Sequence, residues 1–205
     1  VAMVIAMAAV PVIPVGIGGA LLVAIFGFFF ATVSSRIVGL IGSSNNPVSG
    51  MTIATLIISA FIFKSSGNTG HSGMIAALTV GSLVSIIAAI AGDASQDLKT
   101  GFLVGSTPRY QQYGEFIGAI AAAFAIGGIL NLLNAAWGFG SPELPAPQAT
   151  LMKVIVEGVM GGSLPWTFIL VGIFLGVALQ VFGLPVLPIA IGLYLPIHLS
   201  VGIMV

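Results

Sequence analysis

The chain has 205 residues, of which 58% are hydrophobic and only 5% charged, whereas roughly a quarter of residues are charged in soluble domains, so a soluble globular protein is excluded and an integral membrane protein expected. Five basic and five acidic side chains cancel to zero net charge, which leaves no basic face for nucleic acid and no patch for a membrane surface. Cysteine is absent, and disulfides, thiolate metal sites and cysteine nucleophiles are excluded with it.

A helix needs about 20 mostly apolar residues to cross the hydrocarbon core. The opening VAMVIAMAAVPVIP has no initiator methionine and no basic region before a cleavage site, so it reads as the interior of a longer chain and not as a signal peptide. Residues 1–10 end a span, Pro11 and Pro14 punctuate the chain, and Val15 to Val33 is the first complete span. Met51 to Phe63 is apolar but short. It must be tilted, extended through the polar residues before it, or a half-helix. Met74 to Gly92 is a full span, Asp93 to Tyr113 a polar segment, and Gly114 to Leu133 a further crossing. Asn134 to Gln148, with Pro142, Pro145 and Pro147, is expected as a loop; Ala149 to Met160 is a short helix ending at Gly161-Gly162; and Trp166 to Phe182 and Leu187 to Val205 complete the set.

The expected fold is an all-α integral membrane protein, a polytopic bundle of about six transmembrane segments with discontinuous or short helices, forming one unit over residues 1–205. No barrel-type alternation is present, and an open sheet cannot span lipid because its edges leave backbone groups unpaired. Gly114-x-x-x-Gly118, Gly172-x-x-x-Gly176 and Ala88-x-x-x-Gly92 have the spacing that lets helix backbones approach closely, within the chain or at a subunit interface. The loops holding Arg36, Lys99 and Arg109 share one face of this layout and those holding Lys64 and Lys153 the other, a split that does not fix orientation.

Two polar stretches interrupt the apolar pattern. In SSNNPVSG, Asn46 before Pro47 suits a helix start, with asparagine capping the free amides and proline at the first helical position. The helix N-terminus, surrounded by Ser43, Ser44, Asn45 and Ser49, is a ready site for a carboxylate if it lies at membrane depth. A capped helix at the water interface is the plainer alternative.

The second stretch, GDASQDLKTGFLVGSTPRYQQYGEFIG, holds Asp93, Gln96, Asp97, Lys99, Arg109 and Glu115. On a helix Asp93 and Asp97 share a face, and such a like-charged pair favours one protonated carboxyl or a cation between them. Thr107-Pro108 repeats the cap-then-proline pattern. Arg109 then opposes the helix dipole and calls for an anion: Asp93, Asp97, Glu115 or a substrate carboxylate. Ordinary salt links in a solvated loop are the alternative. The expected substrate-binding set is thus Ser43, Ser44, Asn45, Asn46, Pro47, Ser49, Gln96 and Arg109, and the expected proton-coupling charge network Asp93, Asp97, Lys99 and Glu115.

His71 lies in a polar loop, while His198 lies in the last apolar run, where an ionisable group is a functional suspect. A hydrogen-bonded neutral imidazole is the alternative there. Lys153 and Glu157 are spaced to neutralise one another. Neither HExxH, nor a Walker-type loop, nor GxSxG occurs, and no cluster has metal-ligand spacing. Neither an enzyme nor a metal or other cofactor is expected.

SSRIVGLIGSSNNPVSGMTIATL and AGDASQDLKTGFLVGSTPRYQQYGEFIG resemble the signature segments of the oligopeptide transporter family, and LPAPQATLMKVIVEGVMGG with LPIAIGLYLP resembles its C-terminal region. The similarity runs from about Ile13 onward and implies the C-terminal portion of a larger transporter. That family imports small peptides and, in its yellow-stripe branch, metal chelates, in both cases with protons. NNPVSG stands where the eukaryotic peptide branch has Asn-Pro-Gly, and no KIPPR-like segment occurs. The chain is therefore more similar to prokaryotic and yellow-stripe-like members, which implies a prokaryotic cytoplasmic membrane and leaves peptide or chelate open. His198 stands where the family suggests a small hydroxyl residue.

The resemblance implies a proton-coupled secondary importer whose partners are a small peptide or metal chelate, protons and the bilayer, with a homo-oligomer compatible and nucleic acid excluded. Two alternatives belong to other classes: a passive pore with the Asn/Ser stretch as its selectivity loop, and a structural membrane subunit whose charged stretch binds a partner.

Overall fold

The computed structural model describes residues 15–162 and 166–194. Residues 1–10, Pro11, Pro14, His198 and the far part of the expected last span lie outside them. Among the described residues all regular structure is helical.

Helix α1 covers Gly16–Ile41, 26 residues, about 39 Å at 1.5 Å per residue. It runs well past the expected end at Val33, so Arg36 is carried on a helix and not on a loop. Gly42, at φ +89°, ends it with a backbone conformation that suits glycine. A 3₁₀ turn at Ser43–Asn45 follows, then α2 at Val48–Ser65, 18 residues. The short apolar segment has therefore been lengthened through the polar residues before it, to about 27 Å, and is neither a half-helix nor in need of tilt.

Helix α3, His71–Val104, has 34 residues and a length of about 51 Å, well beyond a hydrocarbon core of roughly 30 Å. The segment after Gly92 is helical and not the irregular polar link expected from its charges. No proline interrupts it, and Asp93, Gln96, Asp97 and Lys99 ride on its extension. Gly105, at φ +75°, closes the helix: its N–H donates to the Phe102 carbonyl at 3.3 Å and that of Ser106 to the Gly101 carbonyl at 2.8 Å. This paired pattern satisfies the last carbonyls of a helix. Helix α4 (Pro108–Ala136) starts on Pro108 as expected, although Thr107 makes no side-chain cap. After the 137–146 loop come α5 (Pro147–Gly161), α6 (Trp166–Val181) and α7 (Val186–Tyr194).

The core is built around α3, which packs against α1, α2 and α5. Val23 of α1, Leu56 and Ala60 of α2, Val80 and Val84 of α3 and Val156 of α5 are buried together. Gly81 makes the α2–α3 contact possible, since a methyl group there would collide with Leu56. No residue of α4 is buried; α4 meets α3 near Gly101, where glycine leaves room for Gln111. Helices α6 and α7 contact one another.

Of the described helices, α1, α2, α3 and α4 are long and apolar enough to cross a membrane, and α6 is apolar at 16 residues. The chain is an all-α membrane protein. Of the small-residue pairs, Ala88 and Gly92 are buried and do bring α3 close to α1; Gly114, Gly118, Gly172 and Gly176 have open space where a methyl group would stand.

Candidate functional site

The polar break between α1 and α2 is folded back into the bundle. Ser34 lies two turns before the end of α1, about 10 Å along its axis, and is fully buried. Asn46 donates from Nδ2 to the Ser34 hydroxyl at 2.8 Å, and that hydroxyl donates to the Ala88 carbonyl of α3 at 2.5 Å. The chain thus leaves α1, passes through the 3₁₀ turn and sends the Asn46 side chain back to Ser34 before α2 begins. Gly92 makes the room: a methyl group on it would stand 2.5 Å from Asn46 Nδ2 and 2.9 Å from Ser34 Oγ.

Two further bonds fix the turn. The Ser43 N–H donates to Gln96 Oε1 at 2.6 Å, and Ser95 Oγ donates to the Ser35 carbonyl at 2.7 Å.

Asn46 does not cap α2. Its residue is extended, Pro47 takes the cap position without a side-chain bond, and the helix begins at Val48. Its amide is committed to the α1–α3 seam, where a buried polar group without a partner costs about 1–3 kcal/mol. Its Oδ1 is buried with no partner among the described residues. The first-turn amides of α2 are left without side-chain caps, as helix geometry leaves them without intrahelical acceptors.

At the start of α2 is a cleft of about 410 Å³ whose walls include Ser49 and Thr52 of α2, Ser82 and Ser85 of α3, and Gln148 and Met152 of α5. Gln148 Nε2 reaches across to Ser49 Oγ at 3.4 Å. None of the residues that line it is charged.

Of the expected substrate-binding residues, Ser43, Asn46 and Pro47 are half-buried, Ser44 and Ser49 exposed, and Asn45 belongs to the turn. Gln96 joins them through Ser43. Arg109 stands apart, on the exposed start of α4. Its Nε donates to Tyr113 Oη at 3.0 Å and its guanidinium lies 5.5 Å from the centre of that ring, so an aromatic neighbour takes the place of the expected acidic one.

Asp93, Asp97 and Lys99 are exposed on the α3 extension. The Asp97 carbonyl accepts from Gln111 Nε2 at 3.0 Å, linking that extension to α4, and Glu115 is half-buried with Oε1 enclosed and unpartnered. Among the described residues the one ion pair is Lys153–Glu157, 3.7 Å apart, at the spacing expected from the sequence. Lys64 donates to the Val159 carbonyl at 2.8 Å, placing a cation at the C-terminal end of α5.

Sequence reasoning missed Ser34, Ser82, Ser85 and Gln148. A serine inside an apolar span was the only local signal for Ser82 and Ser85, Ser34 stands just past the expected end of the first span, and Gln148 reaches Ser49 from a distant part of the chain.

The family model of the OPT oligopeptide transporter protein matches residues 1–205. A putative oligopeptide transporter of Haemophilus influenzae is 38% identical over 212 residues, covering 87% of this chain and 33% of that protein. A probable metal-nicotianamine transporter of Arabidopsis thaliana is 31% identical over 132 residues, covering 60% of this chain and 18% of the relative. An iron-phytosiderophore transporter of Oryza sativa subsp. japonica is 27% identical over 144 residues, covering 66% and 21%. The chain thus spans about a third of the bacterial relative's length and about a fifth of the plant ones'. No solved structure matches it. The chain belongs to the oligopeptide transporter family.

Proposed function

We propose that the chain is part of a secondary active importer that couples protons to the uptake of a small peptide or a peptide-like metal chelate across a prokaryotic cytoplasmic membrane. The observation that carries this is the polar break between α1 and α2, tied into the α1–α3 seam by Asn46 on Ser34, Ser34 on Ala88 and Ser43 on Gln96. The N-terminus of α2, with Pro47 and Ser49 at its start and Ser43, Ser44, Asn45 and Asn46 in the turn that leads into it, suits an anionic substrate group.

Asp93, Asp97, Lys99 and Glu115 supply the proton-coupling groups, with Arg109 free of an acidic partner among the described residues and available to a substrate carboxylate. Gln96 links the two groups, since it sits between Asp93 and Asp97 on α3 and holds Ser43. The bacterial relative's name supports a peptide and the plant relatives' names a metal chelate.

The test is to load proteoliposomes of the full-length protein with a pH-sensitive dye and add Ala-Ala or an iron–nicotianamine chelate outside. Acidification of the lumen that follows the solute and needs the protein is expected. Uptake of the solute with no movement of protons would contradict coupling.

A further inference from the structure

The α2–α3–α5 cleft is not accounted for by the charged groups or by the hydrogen bonds that hold the break. Its volume, about 410 Å³, is within the range of roughly 300–1,000 Å³ typical of small-molecule sites.

Its hydroxyls divide into two kinds. Thr52 Oγ1 donates to the Val48 carbonyl and Ser82 Oγ to the Leu78 carbonyl, both at 2.8 Å. Their protons are spent within their own helices and their oxygens remain as acceptors. Ser49 Oγ receives the Gln148 amide and keeps its proton to give. Ser85 is half-buried, and its hydroxyl has no hydrogen-bond partner among the described residues. Donors and acceptors are therefore both on offer, with Met152 and Ile86 supplying apolar wall.

Lipid chains are a poor occupant, because they leave hydroxyls and first-turn amides facing hydrocarbon. Beyond the first turn of α2 a charged group is also a poor one, because between α3 and α5 it would lose its hydration and meet no countercharge among the lining residues.

Resting on the transport reading above, we infer that this cleft seats the uncharged body of the transported solute, namely the amide and short side chain of a small peptide or the equivalent part of a chelating ligand, with Ser49 and Ser85 as its discriminating contacts. The solute's anionic group then lies toward the start of α2 and its neutral body between α3 and α5.

The absence of cysteine from the chain allows a direct test in the full-length protein, with any cysteine elsewhere replaced. Ser85→Cys is close to isosteric, and Met152→Cys on the α5 wall serves as an independent reporter if the first variant folds poorly. Reconstituted variants are treated with a water-soluble methanethiosulfonate reagent, alone or with whichever of Ala-Ala and an iron–nicotianamine chelate the unmodified protein takes up. We expect modification in the absence of solute and, with solute at ten times its dissociation constant, a rate about tenfold lower, as the unoccupied fraction falls. Phe28→Cys, exposed on α1 and not among the residues that line the cleft, is the control, and its rate is the same with and without solute. Solutes carrying an added charge on the body protect less at equal concentration.

A cleft cysteine that does not react, or that reacts at the same rate with and without a transported solute, overturns the assignment. Failure of the transport reading is seen separately, as absence of uptake by the unmodified protein, and the assignment falls with it.

Discussion

Asn46 and Ser34 are joined by a 2.8 Å hydrogen bond in which the asparagine amide is the donor, and the same Ser34 hydroxyl then donates to Ala88 at 2.5 Å. One buried serine thus ties α1, α3 and the segment that leads into α2. Asn46→Ala removes the first link and frees the approach to α2 from the α1–α3 seam. The expected result is impaired uptake with normal membrane insertion, and a stability loss of about 1–3 kcal/mol for the lost buried bond. Uptake rates in proteoliposomes and abundance in the membrane fraction check both parts; a variant with unimpaired uptake contradicts the role given to Asn46.

Gly92 gives a second handle on the same seam. A methyl group there would stand 2.5 Å from Asn46 Nδ2 and 3.1 Å from Val38 Cγ2, so Gly92→Ala is expected to cost about 1–3 kcal/mol through overpacking. Gly118→Ala meets nothing within 4 Å and is expected to be neutral or to stabilise by up to about 1 kcal/mol through helix propensity. Thermal unfolding in detergent compares them, and equal midpoints for the two variants would contradict the close approach at Gly92.

The position of the break was legible because Asn46 and Pro47 are adjacent local signals, and so were the beginning of α4 at Pro108 and the end of α5 near Gly162. The use made of Asn46 was not. Capping is a local event, whereas its bond to Ser34 depends on how α1 returns past α3. The length of α3 was also misjudged, since Asp93, Asp97 and Lys99 suggest a loop when charge is counted but are accommodated on a helix with no proline to stop it. The cleft was beyond sequence reading because Ser49, Ser85 and Gln148 come from three helices widely separated in the chain.

Asp97 lies on the exposed α3 extension, one residue after the Gln96 that holds Ser43. Asp97→Asn keeps the shape and removes the titratable group. Proton-driven uptake is expected to fall by about tenfold or more, equivalent to about 1.4 kcal/mol, while exchange of labelled for unlabelled solute across the membrane is retained. An unaltered response to the proton gradient would remove Asp97 from the coupling groups.

Lys64 places its ammonium on the Val159 carbonyl at 2.8 Å, where a cation favours the C-terminal end of α5. Lys64→Met is expected to lower stability by about 0.5–2 kcal/mol, and Lys64→Arg to recover part of it. Unfolding midpoints of the three proteins in detergent, at low and high salt, provide the check. Identical midpoints would mean that the contact contributes nothing to holding α5 against α2.

The most direct measurement is accumulation of labelled di- to tetrapeptides and of an iron chelate by proteoliposomes holding the full-length protein, with and without an imposed inward proton gradient. Coupled import predicts that one class of label rises above its external concentration only when the gradient is present, and that collapsing the gradient releases it. Uptake that merely equilibrates, with or without the gradient, would contradict coupled import and indicate a passive pore.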